Sequence, residues 1–307
     1  MADFTQVMTG TAEVDDSIIE EFEAQFLLAQ TEQGVADQFV SWRKDIGAKS
    51  ISIPKYEHLS LAVTPLTEKE DVASEALVDT EILFTPKEYG NVVTTTKLAN
   101  LQTGGKADLA AARLVGVNAG RTQNRLALIA MDASANVLYG DGTSVDTVTA
   151  GGIMAPSLMG KAYNALAREN SIGVANGDFV MLAHDDVIQD LREGSSAGTW
   201  QDISKYSGTL ANEILRNEVG MFKGFRVIRE NLATKETNIG GVEVYTSYFM
   251  GYNALGKAMS QEVMVKLTGP FDKLGRFVNV GWHGVLEYGI VEEKALVIAK
   301  TASSVNA

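Results

Sequence analysis

The longest regular pattern of apolar and polar positions runs from Lys106 to about Tyr139 and predicts one α-helix. At 1.5 Å per residue, a helix of this extent is roughly 50 Å long, about three times the average length. Such a helix cannot be buried inside one ordinary core, so we expect it to act as a strut, and we call it the spine helix. Its apolar face consists of small and aliphatic residues that recur every three or four positions: Leu109, Ala112, Val115, Gly116, Ala119, Leu126, Ile129, Ala130, Ala133 and Val137.

Two glycines lie inside this predicted helix, at Gly116 and Gly120. Each costs about 1 kcal/mol relative to alanine in a helix interior. Small residues four positions apart allow another backbone to come close, so we expect something to lie against this part of the helix. Arg121 and Arg125 follow on one side of the helix. A solvated face is one interpretation of this pair, and pairing with an acidic segment of the chain is the other.

Residues 15–42 also show helical spacing and carry bulky apolar anchors at Phe22, Phe26, Phe39 and Trp42. The segment is otherwise acidic, because the first 42 residues hold nine acidic residues and no lysine or arginine. An amphipathic arm of this kind needs a surface that covers its apolar face. That surface is either its own domain or a partner, and the pattern favours neither.

Between the arm and the spine helix, the pattern predicts a long β excursion. Residues 49–64 alternate in the manner of strands with an interruption at Pro54, residues 64–76 form a charged tip, and residues 77–98 return. A two-stranded excursion is marginally stable alone and normally lies on another surface. The alternative is that these strands belong to the main sheet.

Residues 140–152 are rich in glycine and threonine and predict a boundary between two parts of the fold. Beyond it, helices and strands follow without a strict βαβ rhythm, which favours an α+β fold over a parallel doubly wound sheet. The predicted helices cover 157–169, 185–192 and 208–217, and the predicted strands cover 178–183, 221–231, 242–250, 262–268 and at least two segments of 276–300.

Composition narrows the function classes. The 307 residues carry a formal net charge of −13, which argues against tight, independent binding of nucleic acid, since that needs clustered lysine and arginine. The absence of cysteine excludes disulfides, thiolate nucleophiles and cysteine metal sites. No apolar run approaches 18 residues and the N-terminus has no secretory pattern, so we expect a soluble protein that is cytoplasmic when made.

Two glycine-containing motifs match catalytic patterns by letter but not by context. Residues 194–198 (GSSAG) match a nucleophile elbow, which needs a strand before the serine and a helix after it, whereas a predicted helix precedes them. Residues 104–106 (GGK) suggest a phosphate loop, which would need glycine at Asn100 and serine or threonine at Ala107. We interpret both as turns.

The three residues His184, Asp185 and Asp186 are candidate metal ligands. Adjacent residues on a short element rarely converge on one ion, and carboxylates at the start of a helix explain the two aspartates more simply. No catalytic, cofactor-binding or metal-binding residue is therefore predicted.

The order of these parts resembles the major capsid protein of tailed bacteriophages, which has the Hong Kong 97-type fold. An acidic arm, a long β excursion, a spine helix and a glycine-rich step into a mixed lobe follow one another over nearly the whole chain. The more specific similarities are residues 64–68 (TPLTE) in the excursion, Tyr89-Gly90 at its return, Leu126 to Asp132 followed by residues 140–143 (GDGT) at the end of the spine, and residues 221–231 (MFKGFRVIREN) in the mixed lobe.

The resemblance implies a non-enzymatic shell protein without a cofactor. It would form hexamers and pentamers of an icosahedral shell that encloses double-stranded DNA without sequence-specific binding and without a membrane. It would belong to the virion, would be assembled in the bacterial host cytoplasm, and would act with a separate scaffolding protein, a portal and, optionally, a decoration protein. Since the numbering begins at Met1, we expect no large N-terminal segment to be removed. The implied division is an N-terminal arm (1–47), an extended loop (48–90), a peripheral domain with the spine helix (91–152), an axial domain (153–270) and C-terminal strands that return to the peripheral domain (271–307).

The predicted intersubunit contacts lie in three places: the loop tip at Glu68, Lys69, Glu70 and Asp71, the spine at Arg121 and Arg125, and the arm at Phe22 and Phe26. Two alternatives remain. The first is an encapsulin-type nanocompartment, which would need a groove for a cargo peptide near the N-terminal helix. The second is a soluble enzyme with a site built from dispersed acidic residues.

Overall fold

A computed structural model shows two larger β-sheets joined by a long helix, and a separate two-stranded sheet. It describes residues 24–30, 34–45, 49–56, 59–63, 65–66, 68, 71, 74–103, 106–169, 171–174, 177–193, 217–269, 272–274 and 276–306. Helices and strands alternate irregularly along the chain, which confirms the predicted α+β class. None of the described helices combines the length and the apolar character needed to cross a membrane.

The helices are α1 (24–30), α2 (Lys97–Gln102), α3 (Lys106–Met131), α4 (Pro156–Arg168) and α5 (Asp185–Glu193). The strands are β1 (Ser41–Lys44), β2 (Ile51–Tyr56), β3 (Asp79–Phe84), β4 (Lys87–Thr96), β5 (Val137–Tyr139), β6 (Phe179–Ala183), β7 (Glu218–Phe222), β8 (Phe225–Arg229), β9 (Lys235–Thr237), β10 (Glu243–Met250), β11 (Leu255–Thr268), β12 (Phe277–Ile290) and β13 (Leu296–Thr301). Short 3₁₀ helices cover Ala36–Phe39, Val145–Thr147, Glu293–Ala295 and Ser304–Asn306.

The spine helix α3 is 26 residues long, or about 39 Å, and it ends at Met131 rather than near Tyr139. The predicted C-terminal end is therefore wrong. The carboxylate of Glu293 accepts hydrogen bonds from the Ser134 hydroxyl and the Ala135 amide, both at 2.7 Å. The Asn136 side chain donates to the backbone of the same glutamate at 2.8 Å. These bonds turn the chain out of the helix and into β5, although the apolar period continues.

Four of the described strands form a sheet in the order β1-β11-β12-β4, with β1 parallel to β11 and the other pairs antiparallel. The spine helix crosses this sheet. Ala112 packs against Val280, and Val115 and Ala119 pack against Trp282. The small residues of the predicted apolar face thus bring the helix close to the sheet.

A second sheet contains seven described strands in the order β5-β13-β10-β6-β8-β7, with β9 paired to β10. Both faces of this sheet are covered. Phe179 and Met181 of β6 lie in the core beneath α4 and α5, whereas the alternate residues Val180 and Leu182 pack in the core that contains Leu128 of the spine helix. The spine helix therefore contributes to the cores of both sheets.

Sheet membership crosses the limits that the resemblance implies for its domains. Strand β11 lies entirely within 153–270 but pairs with β12 of the C-terminal segment. Strand β13, in that same segment, pairs with β10 and β5 in the seven-stranded sheet. The division into domains stays a prediction.

Most predicted elements beyond the spine are confirmed. The helices predicted at 157–169 and 185–192 are α4 and α5, and the strands predicted at 178–183 and 242–250 are β6 and β10. The strand predicted at 262–268 is part of the longer β11. The turn predicted at 194–198 and all but the last residue of the helix predicted at 208–217 lie outside the described residues.

Residues 221–231 form a hairpin of β7 and β8, not the single predicted strand. The two turn residues have left-handed backbone angles, with φ of 51° at Lys223 and 80° at Gly224. This pair of positive φ angles is typical of a tight two-residue hairpin turn. A Cβ atom at Gly224 would lie 2.7 Å from the Tyr163 ring, so glycine is also required for packing there.

The helical pattern predicted over 15–42 is correct only in part. Residues 24–30 are helical and Ala36–Phe39 form a 3₁₀ turn, but Trp42 lies in strand β1 with 67% of its surface exposed. Parallel pairing of β1 with β11 overrides the local helical spacing. The predicted interruption at Pro54 is also absent, because β2 continues through this residue in a two-stranded sheet.

Candidate assembly surfaces

Helix α1 lies directly on the spine helix. Phe26 and Ala29 of α1 are buried, and Phe26 packs with Val115, Ala119 and Trp282. A Cβ atom at Gly116 would lie 2.6 Å from the carbonyl oxygen of Phe26. The close approach expected at Gly116 is therefore confirmed, and the backbone that approaches belongs to the same chain.

This contact bears on the residues predicted for the arm. Phe26 is buried within the chain's own core, which for residues 24–30 favours packing on their own domain. Phe22 lies outside the described residues. The opposite side of α1 exposes Leu27 and Leu28, so the helix retains an uncovered apolar side.

A buried ion pair fixes the segment that follows α1. The ammonium group of Lys257 lies 2.8 Å from Asp37 Oδ1 and donates to Gln123 Oε1 of the spine helix at 2.9 Å. Tyr288 donates its hydroxyl to the same aspartate at 2.7 Å. Burial and the negative charge of Asp37 hold the pKa of Tyr288 well above its usual value. The tyrosine therefore remains a hydrogen-bond donor.

A second buried contact joins the same segment to the mixed lobe through Asn124 of the spine helix. Its side-chain oxygen accepts from the Ala36 amide at 2.8 Å, and its amide donates to Glu230 Oε2 at 2.8 Å. The Leu232 amide donates to the other carboxylate oxygen at 2.9 Å. Burial raises the pKa of Glu230, and the two hydrogen bonds and the nearby His184 oppose that rise. The spine helix thus connects the arm to the loop that contains Glu230.

A shallow groove of about 300 Å³ lies on the spine helix beside this loop. We call it the arginine groove. Arg125 forms one wall, because its Nη1 donates to the Leu232 carbonyl at 3.0 Å and to the Thr234 hydroxyl at 2.8 Å. Arg121 is exposed, and no hydrogen bond or ion pair joins it to another described residue. The groove is lined by Arg121, Thr122, Arg125, Leu126 and Leu232.

Strands β2 and β3 form a separate two-stranded sheet, with pairs from Ile51–Phe84 to Tyr56–Asp79. We call residues 51–84 the ribbon. The ribbon confirms the predicted β excursion at these strands, whereas β4, which was predicted to be part of its return, pairs with β12 in the four-stranded sheet. Both interpretations of residues 77–98 are thus partly correct.

The base of the ribbon is locked into the four-stranded sheet by Phe84. A Cβ atom at Gly289 would lie 2.5 Å from the Phe84 ring, and one at Gly256 would lie 3.4 Å from it. These glycines are opposite each other in the pairing of β11 with β12 and leave a slot for the ring. Ile51 and Phe84 are both buried there, so the base is part of the body.

Beyond its base, the ribbon exposes many apolar side chains. Leu59, Leu61 and Val63 lie in a segment that is not a strand, although the sequence predicts one over 49–64, and 86% of the Leu61 surface is exposed. The Ser60 hydroxyl donates to the Glu75 carboxylate at 2.7 Å and so connects the two sides of the ribbon. The other exposed apolar residues of the ribbon are Tyr56, Leu66, Leu77, Val78 and Leu83. Large apolar surfaces of this kind mark interaction sites.

The charged tip is described only in part. Glu68 and Asp71 are exposed, whereas Lys69 and Glu70 lie outside the described residues. The intersubunit contacts expected for the tip and for Arg121 and Arg125 stay predictions.

The residues considered for chemistry have structural partners. The Asp186 amide donates to His184 Nδ1 at 3.2 Å, and Asp185 pairs with Arg229 at 2.5 Å, at the helix start that the sequence predicts. In the part of the chain that the structure describes, no group of three histidine or acidic side chains is arranged to hold a metal ion. The residues of the GSSAG motif lie outside that part.

The sequence interpretation missed several residues that expose large apolar surfaces. Leu59, Leu61 and Val63 carry an alternation that was interpreted only as a strand. Trp42 was assigned to a helix. The signal was present, but alternation does not distinguish a buried row from an uncovered one.

Comparisons with known proteins agree on the fold. No protein-family model matches the chain, and no curated protein matches its sequence. The capsid of Ralstonia phage GP4 has a TM-score of 0.71 at 13% identity, with 86% of this chain and 87% of that chain covered. The Cyanophage Pam1 capsid gives 0.63 at 12% identity over 86% and 89% of the two chains. A virus-like particle from Pyrococcus furiosus gives 0.57 at 13% identity over 92% and 99%.

These similarities cover 86–92% of this chain. At such low identity they establish the architecture. The chain has the Hong Kong 97-type fold of tailed-phage capsid proteins.

Proposed function

We propose that this chain is the major capsid protein of a tailed bacteriophage, a subunit that assembles with itself into the hexamers and pentamers of an icosahedral shell. The observation that carries this proposal is the ribbon. On a fold shared with phage capsid structures, it projects a row of apolar side chains that are left exposed, with Leu61 at 86%. A second copy is the natural cover for such a row.

A protruding ribbon is compatible with assembly into a closed ring. The ribbon is a protrusion, and the surface that receives it must lie elsewhere on the same subunit. Contacts between two different surfaces of identical chains are heterologous, and they generate rings when the rotation closes. The locked base at Phe84 keeps the direction of the ribbon fixed relative to the body. Small changes in angle between neighbours then allow rings of five and six.

The acidic composition suits a shell that contains DNA. A chain with a net charge of −13 has no excess of cations to hold phosphate groups, which supports a shell that encloses DNA without sequence-specific binding. In this proposal the chain has no catalytic role, belongs to the virion and is assembled in the host cytoplasm. A separate scaffolding protein and a portal act with it, with a decoration protein as an optional partner, whereas closure into shells is assigned to this chain alone.

The division of the subunit is part of the proposal. Residues 1–47 are the arm, 48–90 the extended loop, 91–152 the peripheral domain and 153–270 the axial domain, and 271–307 return to the peripheral domain. The packing of α1 against the spine helix supports a position of the arm beside the peripheral domain.

A second candidate is a nanocompartment that encloses protein. The likeness to a virus-like particle favours it, and so does a groove of about 340 Å³ beside α1. Leu27, Trp42 and Gln123 line this groove, and the Gln123 side-chain amide is buried without a hydrogen-bond partner among the described residues. The phage capsids have the higher TM-scores, so this candidate is second.

The experiment is sedimentation of the wild-type chain expressed in bacteria, followed by electron microscopy and analysis of the particle contents. The proposal expects closed shells that contain DNA or are empty, whereas a protein cargo would support the nanocompartment. Leu61→Asp should abolish shells and leave a folded subunit, because a carboxylate cannot be buried in the contact. Ser74→Asp adds the same charge at another exposed position of the ribbon and should leave assembly intact. A wild-type chain that remains a small single species contradicts the proposal.

A further inference from the structure

We propose that the open edge of strand β4 pairs with the same edge of a second copy of this chain, so that two four-stranded sheets become one continuous sheet. This inference rests on the proposed function, because it names a contact by which neighbouring rings of subunits join into a shell. The contact lies in Lys87–Thr96, outside the ribbon, and every residue of this strand is described.

Strand β4 presents unpaired backbone groups along one side. It is the last strand of the four-stranded sheet, and among the described strands it pairs only with β12. Just past the end of β4, the Lys97 amide donates to the carbonyl oxygen of Arg276 at 2.7 Å. Hydrogen-bonded pairs alternate along an antiparallel ladder. The odd-numbered residues of β4 therefore bond to β12, whereas the even-numbered residues point their amide and carbonyl groups away from the sheet.

The exposed residues of β4 agree with this direction. The Val92 amide donates to Oδ1 of Asn91, in the same strand, at 2.8 Å. Gly90 and Thr94 have the same orientation as Val92, and all three are exposed. An added strand would give the outward groups of these residues the partners that β12 gives to the odd-numbered ones.

This edge lacks the features that usually prevent pairing. Natural edge strands are protected by lysine, proline, bulges or short length. Strand β4 has 10 residues and pairs with β12 in one continuous register. Residues 89–96 (YGNVVTTT) include no proline and no charged side chain, and their valines and threonines favour strand pairing.

The absence of charge favours a second copy as the occupant. The chain has a net charge of −13, so two copies repel each other over most of their surfaces. They meet with the least repulsion at an uncharged edge. A basic partner would gain no electrostatic attraction from residues 89–96, whereas a second copy supplies a strand with the same unpaired groups.

The edge is also complementary to itself. When a two-fold axis relates two antiparallel copies, outward groups bond where one even-numbered residue lies opposite another. The register that engages every even-numbered residue from Glu88 to Thr96 places Val92 opposite Val92 and Gly90 opposite Thr94. Helix α2 begins at Lys97 and ends the ladder on that side.

Such a contact has a distinct role in a shell. A two-fold contact uses the same patch on both subunits and stops at a pair, whereas heterologous contacts build rings. A shell made of rings needs contacts between rings as well as within them. The β4 edge supplies a contact between rings.

A charge at the centre of the ladder tests the proposal. Like charges directly opposite each other destabilise a cross-strand pair, so Val92→Lys should lower the yield of shells about tenfold or more, and Val92→Glu should do the same. Coexpression of these two variants should raise the yield several-fold above that of either one alone, because unlike charges then face each other.

Met264→Lys is the matched control. Met264 is exposed and lies opposite His283, which in turn lies opposite Gly90, so it shares the sheet face of Val92 at two strands from the edge. This variant should assemble with the wild-type yield. Circular dichroism of unassembled subunits checks that each variant is folded.

Two further measurements report the pairing itself. Amide hydrogen exchange at residue level should show slow exchange at Asn91 and Val93 in both states, and slow exchange at Gly90 and Thr94 only in shells. The chain contains no cysteine, so Val92→Cys supplies the only thiol. Mild oxidation of its shells should give linked pairs on a non-reducing gel, since opposite Cα atoms of a bonded pair are about 5.5 Å apart. Met264→Cys should give none.

The outcomes separate this inference from the function on which it rests. If the wild type forms shells, but Val92→Lys assembles equally well or Val92→Cys gives no linked pairs, the inference is overturned and the shell function stands. If coexpression gives no rescue, or if Met264→Lys lowers the yield as much as Val92→Lys, the inference is also overturned. If the wild type forms neither rings nor shells, the proposed function fails, and this contact fails with it.

Discussion

Replacing Gly116 by alanine should weaken the packing of α1 against the spine helix. The added Cβ atom would lie 2.6 Å from the Phe26 carbonyl oxygen and 3.0 Å from the Ala29 Cβ atom. Both distances are shorter than ordinary contacts, which begin near 3.4 Å. The nearest of these atoms belongs to the backbone, so a side-chain rotation cannot relieve the clash. Helix α1 must move away.

The net effect is the difference between two opposing terms. Alanine improves helix propensity by about 1 kcal/mol relative to glycine. Overpacking at a tight contact costs about 1–3 kcal/mol, and fully exposing a phenylalanine such as Phe26 costs about 2–3 kcal/mol. Relief of this backbone clash displaces α1 and exposes Phe26, so the cost of about 2–3 kcal/mol outweighs the gain of about 1 kcal/mol and leaves Gly116→Ala less stable than the wild type by about 1–2 kcal/mol.

Gly160→Ala is the matched control. Gly160 lies in the interior of α4, and no atom is within 4 Å of the position of an added Cβ. Only the propensity term applies, so this variant should be more stable than the wild type by about 0.5–1 kcal/mol. The two substitutions are chemically identical and should have opposite signs.

Urea unfolding of unassembled subunits, followed by circular dichroism, measures both free energies of unfolding. Hydrogen exchange of the peptide that covers 24–30 gives a local measurement, and it should become faster in Gly116→Ala only. If both variants gain stability equally and hydrogen exchange at 24–30 is unchanged, the packing of α1 against the spine helix is refuted.

Three further substitutions test the buried contacts. Burial raises the folded-state pKa of Glu230 above its unfolded value, so the folded state binds the proton more tightly than the unfolded state. The stability of the wild type relative to Glu230→Gln should therefore fall as pH rises from about 4.5 through the raised pKa. Urea unfolding of both proteins at several pH values checks this, and a relative stability that rises with pH contradicts it. Tyr248→Phe removes a 2.7 Å hydrogen bond to Asp132 and should lower the free energy of unfolding by about 1.5–3 kcal/mol in the same assay, because the acceptor is a carboxylate. An unchanged free energy of unfolding would show that the bond does not stabilise the fold. Phe84→Ala empties the slot at the base of the ribbon and should lower the free energy of unfolding by about 3 kcal/mol or more. Proteolysis of the ribbon should become faster, and shells should be lost. Unchanged proteolysis would show that this ring does not hold the base.

The sequence identified the parts of the fold better than their limits. The repeated small residues of the spine helix predicted its face, and the pair of glycines predicted a close approach at Gly116. They did not identify α1 as the neighbour, because an amphipathic arm fits its own domain and a partner equally well. The end of the helix was missed because Ala133 and Val137 continue the apolar period. Glu293, which is far away in sequence, supplies the hydrogen bonds that end it.

Sheet membership could not be derived from local pattern. Strands β3 and β4 follow each other and alternate in the same way, yet one pairs with β2 and the other with β12. The slot that fixes the ribbon depends on Gly256 and Gly289, which meet only when β11 and β12 pair. Such positions acquire their meaning from tertiary contacts.

The candidate surfaces were predictable in composition but not in geometry. The sequence alone gives the charges of the acidic tip, Arg121 and Arg125. That Arg125 is bonded to the 232–234 loop while Arg121 is exposed depends on contacts between residues more than a hundred positions apart. The uncovered row at Leu59, Leu61 and Val63 required solvent exposure, which an alternating pattern does not give.

Electron microscopy of the wild-type chain, purified after expression in bacteria, tests the central claim most directly. The account predicts closed shells of uniform size built from rings of five and six subunits. A folded protein that remains a small single species at every concentration, with no shells or rings in the images, would contradict it.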